Sequence, residues 1–121
     1  MIKKILVIDD NNIFCNAIKN HLSQKDYVVE VCVSCHEFQE KNNINNIKEF
    51  DLILLDLRLK DGEGLDILKH ISEIIPDKKV IMVSSYLDSE NISKAKELGV
   101  YKCIDKNSKL FHELDHVIET L

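Results

Sequence analysis

Five polar side chains that could work together chemically stand at the ends of four apolar runs. Asp9 and Asp10 end the stretch ILVIDD, and Asp56 ends DLILLD. Ser84 ends KVIMVS, and Lys106 follows YKCID. A carboxylate can act as a nucleophile and form an acyl phosphate, provided that a metal ion, cations and hydrogen-bond donors offset the charge of the transferred oxygens. The set therefore contains the residue types of a site that accepts a phosphoryl group.

The three carboxylates also predict a metal ion. At ~4 Å and an effective dielectric constant near 20, each pair of like charges repels by about 4 kcal/mol. A divalent cation removes that repulsion, and Mg²⁺ accepts one or two carboxylates together with water and phosphate oxygens. Asp9 and Asp10 are therefore interpreted as half of a magnesium site.

These side chains can meet only if the runs before them are neighbouring strands. Five runs are typical of strands: KILVID (4–9), VVEVCV (28–33), DLILLD (51–56), KVIMVS (79–84) and VYKCID (100–105). Helical segments alternate with them, which predicts a parallel sheet covered on both faces. The second and fifth runs contain Glu30 and Lys102, as edge strands tolerate. The predicted fold class is therefore α/β, a flavodoxin-like (βα)5 doubly wound parallel five-stranded sheet in the order 2-1-3-4-5.

The helices are predicted from apolar periodicity and capping residues. The first apolar face consists of Ile13, Phe14, Ala17, Ile18 and Leu22. Ser34 and Glu37 are spaced as a capping box for the second helix, and the asparagine-rich stretch 41–50 is expected to fray its end. Gly99 is expected as a left-handed cap, and Ser108 as the N-cap of the last helix.

In this sheet order the carboxyl ends of the strands gather the polar residues at one edge. Neighbouring strands lie ~4.8 Å apart, so Asp56 is expected about one spacing from the acidic pair and from Ser84. Lys106 is two spacings away, and its long side chain can cover most of that gap.

Length and composition limit the other possibilities. The chain has 121 residues, enough for one compact domain, with 45% apolar and 31% charged residues. A net charge of −5 argues against direct nucleic-acid contact by this domain. No apolar run approaches the ~20 residues of a membrane span, and the N-terminus carries no signal-peptide pattern. A cytoplasmic location is expected, in which the four cysteines remain thiols.

The stretches ILVIDD, DLILLDLRLKDGEGLDIL, KVIMVSSY and ELGVYKCIDK together resemble the receiver domain of two-component response regulators. The resemblance extends over residues 1–121, essentially the whole chain. It implies that Asp56 is phosphorylated by a histidine kinase or phosphotransfer protein, and that Ser84 and Lys106 contact the phosphoryl group. It further implies a downstream effector domain or protein as partner. The face from the fourth to the fifth helix is a candidate homodimer surface.

The same resemblance implies the metal ligands. Asp10 and Asp56 would bind Mg²⁺ directly, together with the backbone carbonyl of Arg58. Asp9 would assist through a water molecule. Such a domain catalyses only its own phosphorylation and dephosphorylation, so it is not expected to be an enzyme in the usual sense.

Three positions differ from the usual pattern of the family. Lys60 and Asn107 stand where proline is usual, and Cys103 stands where an aromatic residue usually couples phosphorylation to the output face. Cys103 cannot act as such a ring, and Tyr86 is a candidate substitute. Arg58 and Tyr86 are also predicted to flank the phosphoryl pocket and shield the acyl phosphate from water.

Two other functions remain open. A receiver-like domain that is never phosphorylated could signal by protein contacts alone. A haloacid-dehalogenase-like phosphatase also uses Asp, Ser or Thr, Lys and magnesium. Its nucleophile belongs to a D-x-D pattern after the first strand, however, whereas this chain has Asp9, Asp10 and Asn11.

The stretch CVSCH, residues 32–36, matches haem-attachment, dithiol and zinc-ligand spacings. Haem attachment normally needs export, and a zinc site lacks an evident fourth ligand. Cys32 and Cys35 are therefore interpreted as small apolar residues. The histidines are expected to be solvated on polar helix faces.

Overall fold

Five parallel strands form the centre of the structure, a computed structural model that describes residues 2–41 and 43–121. In chain order the elements are β1 (Lys4–Ile8), α1 (Asn12–Ser23), β2 (Val28–Cys32), α2 (Cys35–Lys41), α3 (Ile44–Glu49), β3 (Leu52–Leu55), β4 (Arg58–Leu59), β5 (Gly62–Glu63), α4 (Gly64–Ile74), β6 (Val80–Ser84), α5 (Ser89–Glu97), β7 (Lys102–Asp105) and α6 (Leu110–Thr120). The large sheet has the order β2-β1-β3-β6-β7. This is the predicted order 2-1-3-4-5, so the predicted fold class is confirmed. The short antiparallel ribbon of β4 and β5 was not predicted.

The central strands are buried on both faces, and alternate residues enter two separate cores. One core joins the sheet to α1 and α6, and contains Ile5, Val7, Leu52, Leu54, Ile81 and Val83 from the strands. The other lies against α2 to α5, and contains Leu6, Ile8, Ile53, Leu55, Val80 and Met82. Each such side chain stabilises the fold by about 1.5–3 kcal/mol. Packing on both faces therefore holds the ends of β1, β3 and β6 at one edge.

The edge strands tolerate charge as expected. Glu30 in β2 and Lys102 in β7 are both exposed. Lys4 of β1 pairs with Glu30 across 3.1 Å, which places a charged pair at the outer edge of the sheet.

The region between β2 and β3 forms two short helices instead of one helix with a frayed end. Ser34 accepts a hydrogen bond from the N–H of Glu37 at 3.0 Å, which is one half of the predicted capping box. Asn43 caps α3 by accepting from the N–H of Asn46 at 3.1 Å. Because α3 buries Ile47, residues 44–49 are ordered as a helix. Asn42, also part of the stretch expected to be loose, lies outside the described residues.

The predicted apolar face of α1 is partly wrong. Ile13 is 83% exposed, and Ala17 is exposed as well. Ile18 and Leu22 are buried as predicted, and Cys15 completes the buried stripe at the three- and four-residue spacings of one helix face. Ile13 stands two residues before Cys15 and therefore points away from the core.

The ends of α5 and α6 test two further predictions. Gly99 has φ +88° after α5, so the expected left-handed cap is confirmed. Ser108 is not the N-cap of α6. That position belongs to Lys109, because Asn107 accepts from the N–H of Lys109 at 2.9 Å and carries the turn one residue further.

Candidate functional site

The predicted site residues meet at the carboxyl edge of the sheet. In the register of the strands, Leu55 lies beside both Ile8 and Met82. The N–H of Asp56 donates to the carbonyl of Ile8 at 2.9 Å, which fixes Asp56 beside the end of β1. The N–H of Lys106 donates to the carbonyl of Ser84 at 3.1 Å. The strands therefore position these groups through backbone hydrogen bonds, independently of any side-chain contact.

Three carboxylates converge at this edge. Asp9, Asp10 and Asp56 each offer an oxygen atom, and these atoms lie within 4.8 Å of one another. In the part of the chain that the structure describes, they form the one group of acidic, histidine or cysteine side chains close enough to hold a metal ion. Asp9 is 1% exposed and Asp56 is 6% exposed, so their charges are largely removed from water.

One oxygen of Asp56 is buried without a hydrogen-bond partner among the described residues. That atom is Oδ1, whereas Oδ2 accepts a hydrogen bond from Lys106. A buried charged oxygen without a partner is costly, and a cation bound to it would remove the cost. The all-oxygen donor set suits Mg²⁺ by its chemistry. The residues present therefore fit the predicted ion.

Lys106 supplies the positive charge of the site. Its Nζ donates to Oδ2 of Asp9 at 2.6 Å and to Oδ2 of Asp56 at 3.1 Å. Burial lowers the pKa of Lys106, but the hydrogen bond to Asp9 and the charge of Asp56 outweigh burial. The pKa of Lys106 is thus raised above its ordinary value, and the side chain remains an ammonium ion.

Asp9, predicted to assist the metal ion through water, is fixed by direct hydrogen bonds. Its Oδ1 accepts from the N–H of Asn11 at 2.9 Å, and its backbone carbonyl accepts from the thiol of Cys15 at 3.2 Å. Burial raises the pKa of the Asp9 carboxyl, and the charge of Asp56 raises it further. Lys106 and the N–H of Asn11 oppose the increase without cancelling it. The pKa of the Cys15 thiol is about 11, raised chiefly by burial, so the thiol keeps the proton that it donates.

Ser84 is fully buried at the end of β6. Its Oγ accepts a hydrogen bond from the N–H of Tyr86 at 3.1 Å. That bond does not use the hydroxyl proton, which Ser84 keeps as a donor. The neighbouring Ser85, which was not predicted as a site residue, lines the mouth of the site instead.

A cavity of about 330 Å³ opens above the carboxylates. It is lined by Asp10, Asn11, Asp56, Arg58, Leu59, Lys60, Ser85, Tyr86 and Lys106. Arg58 and Tyr86 therefore flank the site, as expected. Lys60, at a usual proline position of the family, adds a second exposed cation to the wall. The backbone carbonyl of Arg58 as a metal ligand stays a prediction.

Gly64 allows the chain after Asp56 to fold back closely. Its N–H donates to the carbonyl of Leu57 at 2.6 Å. A Cβ atom at position 64 would lie 2.0 Å from the carbonyl oxygen of Asp56, a distance that no side chain can occupy. This close approach was not predicted, because no spacing rule in the sequence distinguishes it from an ordinary turn.

Cys103 lies beneath the site in β7, half-buried against the core on the α5 side. Burial raises the pKa of its thiol. The nearby aromatic rings point elsewhere: Tyr86 is 55% exposed and stacks with Arg58, and Tyr101 is 44% exposed beside Lys79. Lys106 is joined to Asn107 by a trans peptide bond, as are the other described residues to their neighbours.

The CVSCH stretch does not form a second site with converging ligands. Cys32 is buried in β2, whereas Cys35 begins α2 and contacts the ribbon beside Gly62. His36 is exposed and pairs with Glu40 at 3.0 Å.

One histidine departs from the expected solvation. His21 lies between α1 and α6, 2.9 Å from Asp115 and stacked on Phe111 with ring centres 4.5 Å apart.

Among the helices of the described ranges, none combines the length and apolar character needed to span a membrane.

Comparisons with known proteins agree on one family. A family model described as the response regulator receiver domain matches residues 5–118. The response regulator protein VraR of Staphylococcus epidermidis is 27% identical over 117 residues, which cover 97% of this chain and 56% of that protein. The chain thus spans about half the length of the curated relatives it matches.

Two solved structures illustrate the agreement in fold. A CheY-like receiver domain protein from Methanospirillum hungatei superimposes with a TM-score of 0.85 and 29% identity, covering 99% of this chain and 94% of that chain. The BeF3-activated receiver domain of DrrB, from Thermotoga maritima, gives a TM-score of 0.82 and 25% identity. That match covers 98% of this chain and 97% of the DrrB domain.

Proposed function

Because this chain belongs to the response regulator receiver domain family, we propose that it is a phosphoacceptor switch. Asp56 takes a phosphoryl group from a histidine kinase or phosphotransfer protein in a magnesium-dependent reaction. The observation that carries this proposal is the state of Asp56. Its carboxylate is 6% exposed, one oxygen lacks a hydrogen-bond partner among the described residues, and the other is held 3.1 Å from Lys106.

The chemistry follows from the groups around Asp56. A carboxylate oxygen of Asp56 attacks the phosphorus, the bond from phosphorus to the donor histidine breaks, and the bonding pair returns to the imidazole nitrogen. Lys106 and the hydroxyl of Ser84 contact the phosphoryl oxygens and offset their charge. Mg²⁺, when bound, supplies further positive charge beside the transferred group. Asp10, Asp56 and the backbone carbonyl of Arg58 would hold the ion, and Asp9 would assist through water.

Phosphorylation changes the charge at the edge of the sheet. A phosphoryl group adds about 1.5 to 2 negative charges at pH 7. The new phosphoryl oxygens accept a hydrogen bond from the hydroxyl of Ser84. In the unphosphorylated structure the Oγ of Ser84 accepts from the N–H of Tyr86 at 3.1 Å. A rearrangement there passes to the loop between β6 and α5. The surface from β6 to α6 then binds an effector domain or protein differently, which is a population shift driven by contacts to phosphate. Cys103 has no ring and does not supply the usual aromatic switch. Tyr86, two residues after Ser84, is the aromatic residue that would respond to the rearrangement at Ser84.

The wider setting follows the same proposal. The domain acts on its own Asp56 and turns over no separate substrate. We expect it to work in the cytoplasm, where histidine kinases present their phosphorylated histidines, and to make no direct contact with nucleic acid.

The decisive experiment is phosphorylation of the purified protein by acetyl phosphate with and without Mg²⁺, followed by intact mass spectrometry. We expect a single phosphoryl adduct that requires Mg²⁺ and is lost in Asp56→Asn. Asp105→Asn is the matched control, because Asp105 is an exposed aspartate at the end of β7. It should be modified as the unaltered protein is.

The same measurement distinguishes the alternatives. A receiver-like interaction module gives no adduct with acetyl phosphate or with a phosphorylated kinase. A phosphatase releases inorganic phosphate continuously from the donor. Either result would overturn the proposal.

A further inference from the structure

Lys106 rests on an aromatic ring that belongs to α1. The Nζ atom lies 4.3 Å from the centre of the Phe14 ring, while it donates to Asp9 at 2.6 Å and to Asp56 at 3.1 Å. The lysine side chain is only 16% exposed. Carboxylates and an aromatic face therefore surround the ammonium in place of most of its water.

Phe14 is itself held by the acidic loop. Asp9 accepts from the N–H of Asn11 at 2.9 Å through the oxygen that Lys106 does not use. Asn11 in turn caps α1 by accepting from the N–H of Phe14 at 3.0 Å. The contacts thus form a closed circuit from Asp9 through Asn11 and Phe14 to Lys106, and back to Asp9.

We propose that Phe14 is a positioning residue whose ring holds the Lys106 ammonium against Asp9 and Asp56, ready to meet the phosphoryl group. This inference rests on the proposed function of Asp56 for its effect on rate, but not for the contact itself. Phe14 also packs against the core beside Cys15, Ile18 and Leu22, and the contact of its ring with Lys106 is a role in addition to that packing.

The physical reason lies in the flexibility of lysine. A lysine side chain has four rotatable bonds and loses rotamer entropy when it is fixed. Two of the three N–H groups of Lys106 are used by carboxylates. An aromatic face attracts a cation through its negative quadrupole, more strongly when water is excluded. The ring of Phe14 therefore contributes to keeping the ammonium in place where no third oxygen accepts from it among the described residues.

The first test changes the ring without changing its size. Phenylalanine analogues with one, two and five fluorine atoms are incorporated at position 14 alone, and the phosphorylation rate with acetyl phosphate and Mg²⁺ is measured. Fluorine withdraws electron density from the ring face, so we expect the rate to fall with each step. Phe14→Leu should be slower by about tenfold, and Phe14→Tyr should retain the rate.

A matched control removes another ring that lies beneath a lysine. Phe50 has the Nζ of Lys4 4.9 Å from its centre, at the opposite end of β1 from the acidic loop. Phe50→Leu should leave the phosphorylation rate unchanged. The proposal would be overturned if Phe50→Leu lowered the phosphorylation rate as much as Phe14→Leu does. It would also be overturned if fluorination at position 14 left the rate unchanged.

The second test needs neither metal nor phosphoryl donor. The free energy of unfolding is measured without Mg²⁺ for Phe14→Leu, Lys106→Gln and the double variant. We expect the two substitutions to be non-additive, because each removes the same contact. Additive effects would contradict the contact. If the coupling is present but no variant is phosphorylated, the proposed function fails while the positioning contact stands.

Discussion

The guanidinium carbon of Arg58 lies 4.8 Å from the centre of the Tyr86 ring. The two side chains come from different strand ends and meet over the cavity that contains Asp56. Their stacked pair forms part of the wall between Asp56 and bulk water. Arg58 is exposed and Tyr86 is 55% exposed, so both side chains lie at the surface of the protein.

Removing this pair should shorten the life of the acyl phosphate. In Arg58→Ala with Tyr86→Ala, water reaches the phosphoryl group more often, and we expect dephosphorylation to be about threefold faster or more. The measurement is loss of the phosphoryl adduct with time after the donor is removed. Tyr101→Ala is the control, because Tyr101 is also exposed beside a lysine but lies at the start of β7. An unchanged or slower rate in the double variant would contradict the shielding.

Asp10→Asn should stabilise the protein when no metal is present and abolish the stabilisation by Mg²⁺. The substitution removes one of three carboxylates whose oxygens lie within 4.8 Å of one another. Since Asp10 is half-buried, water screens part of the repulsion, and we expect a gain of about 1–2 kcal/mol. Millimolar Mg²⁺ should raise the Tm of the unaltered protein by mass action, and should leave that of Asp10→Asn nearly unchanged.

The control for the magnesium experiment is Asp105→Asn, which keeps the three converging carboxylates. It should respond to Mg²⁺ as the unaltered protein does. The idea of a metal site fails if Mg²⁺ leaves the Tm of the unaltered protein where it was.

Asp51, which lies far from the carboxylate site, should make the free energy of unfolding depend on pH. Its Oδ2 accepts from the N–H groups of Lys3 at 2.8 Å and Lys4 at 2.9 Å, which ties the start of β1 to β3. The hydrogen bond from the N–H of Lys4 has the largest effect and lowers the pKa of Asp51. Burial opposes it, and the N–H of Lys3 lowers the pKa further, so the pKa lies below its ordinary value. A carboxyl whose pKa is lowered by folding stabilises the native state above its unfolded pKa, about 3.9, and loses that contribution as the pH falls through the folded value.

Asp51→Asn should therefore unfold at a lower temperature than the unaltered protein at pH 7. We expect a difference of about 1 kcal/mol, since Asp51 is half-buried and water screens part of its interaction with the two N–H groups. The difference should narrow below about pH 3.9, because Asp51 is protonated first in the unfolded chain and then, at its lower pKa, in the folded protein. Thermal unfolding from pH 7 to pH 2.5 tests this, with Asp77→Asn as the control at an exposed aspartate. A difference that stays constant over this range would show that the charge of Asp51 does not matter.

The order of the sheet could be predicted because burial leaves a direct mark on sequence. A strand covered on both faces must be apolar throughout, as Leu52–Leu55 is, and an edge strand can carry Glu30 or Lys102. Once the order is known, the placement of Asp56 beside the acidic pair follows from the geometry of parallel strands. The apolar pattern identifies the edge strands, and the flavodoxin-like order supplies the arrangement of the three central ones. Together they predicted the central acidic cluster.

Contacts between distant parts of the chain left no comparable mark. Phe14 was predicted as a core residue of α1, and its position over Lys106 depends on where α6 and β7 place the lysine. Ile13 was assigned to the core because it stands four residues before Ala17, a spacing that matches a helix face. The burial of Cys15, Ile18 and Leu22 fixes a different rotation of α1. The contact of Phe14 depends on Lys106, and the rotation of α1 depends on the burial of Cys15. Whether a lysine or a cysteine is buried depends on partners that the local sequence does not specify.

Gly64→Ala should damage both the fold and the site, and a second glycine provides the comparison. At position 64 an added Cβ would lie 2.0 Å from the oxygen and 2.9 Å from the carbon of the Asp56 carbonyl, so the backbone of Asp56 itself must move. At Gly99 an added Cβ meets nothing within 4 Å, and the only penalty is the φ of +88°. We expect Gly99→Ala to lower the free energy of unfolding by about 1 kcal/mol, and Gly64→Ala by about 3 kcal/mol or more.

The two glycine variants should also differ in phosphorylation. Because Gly64→Ala displaces Asp56 from the end of β3, its rate with acetyl phosphate should fall even at a temperature where the variant remains folded. Gly99→Ala strains only the turn after α5 and should keep the rate of the unaltered protein. Denaturant unfolding and the phosphorylation rate, measured side by side, test both effects. Equal losses of stability in the two variants would mean that the chain near Asp56 relaxes freely, and that the close approach of Gly64 does not position the phosphoacceptor.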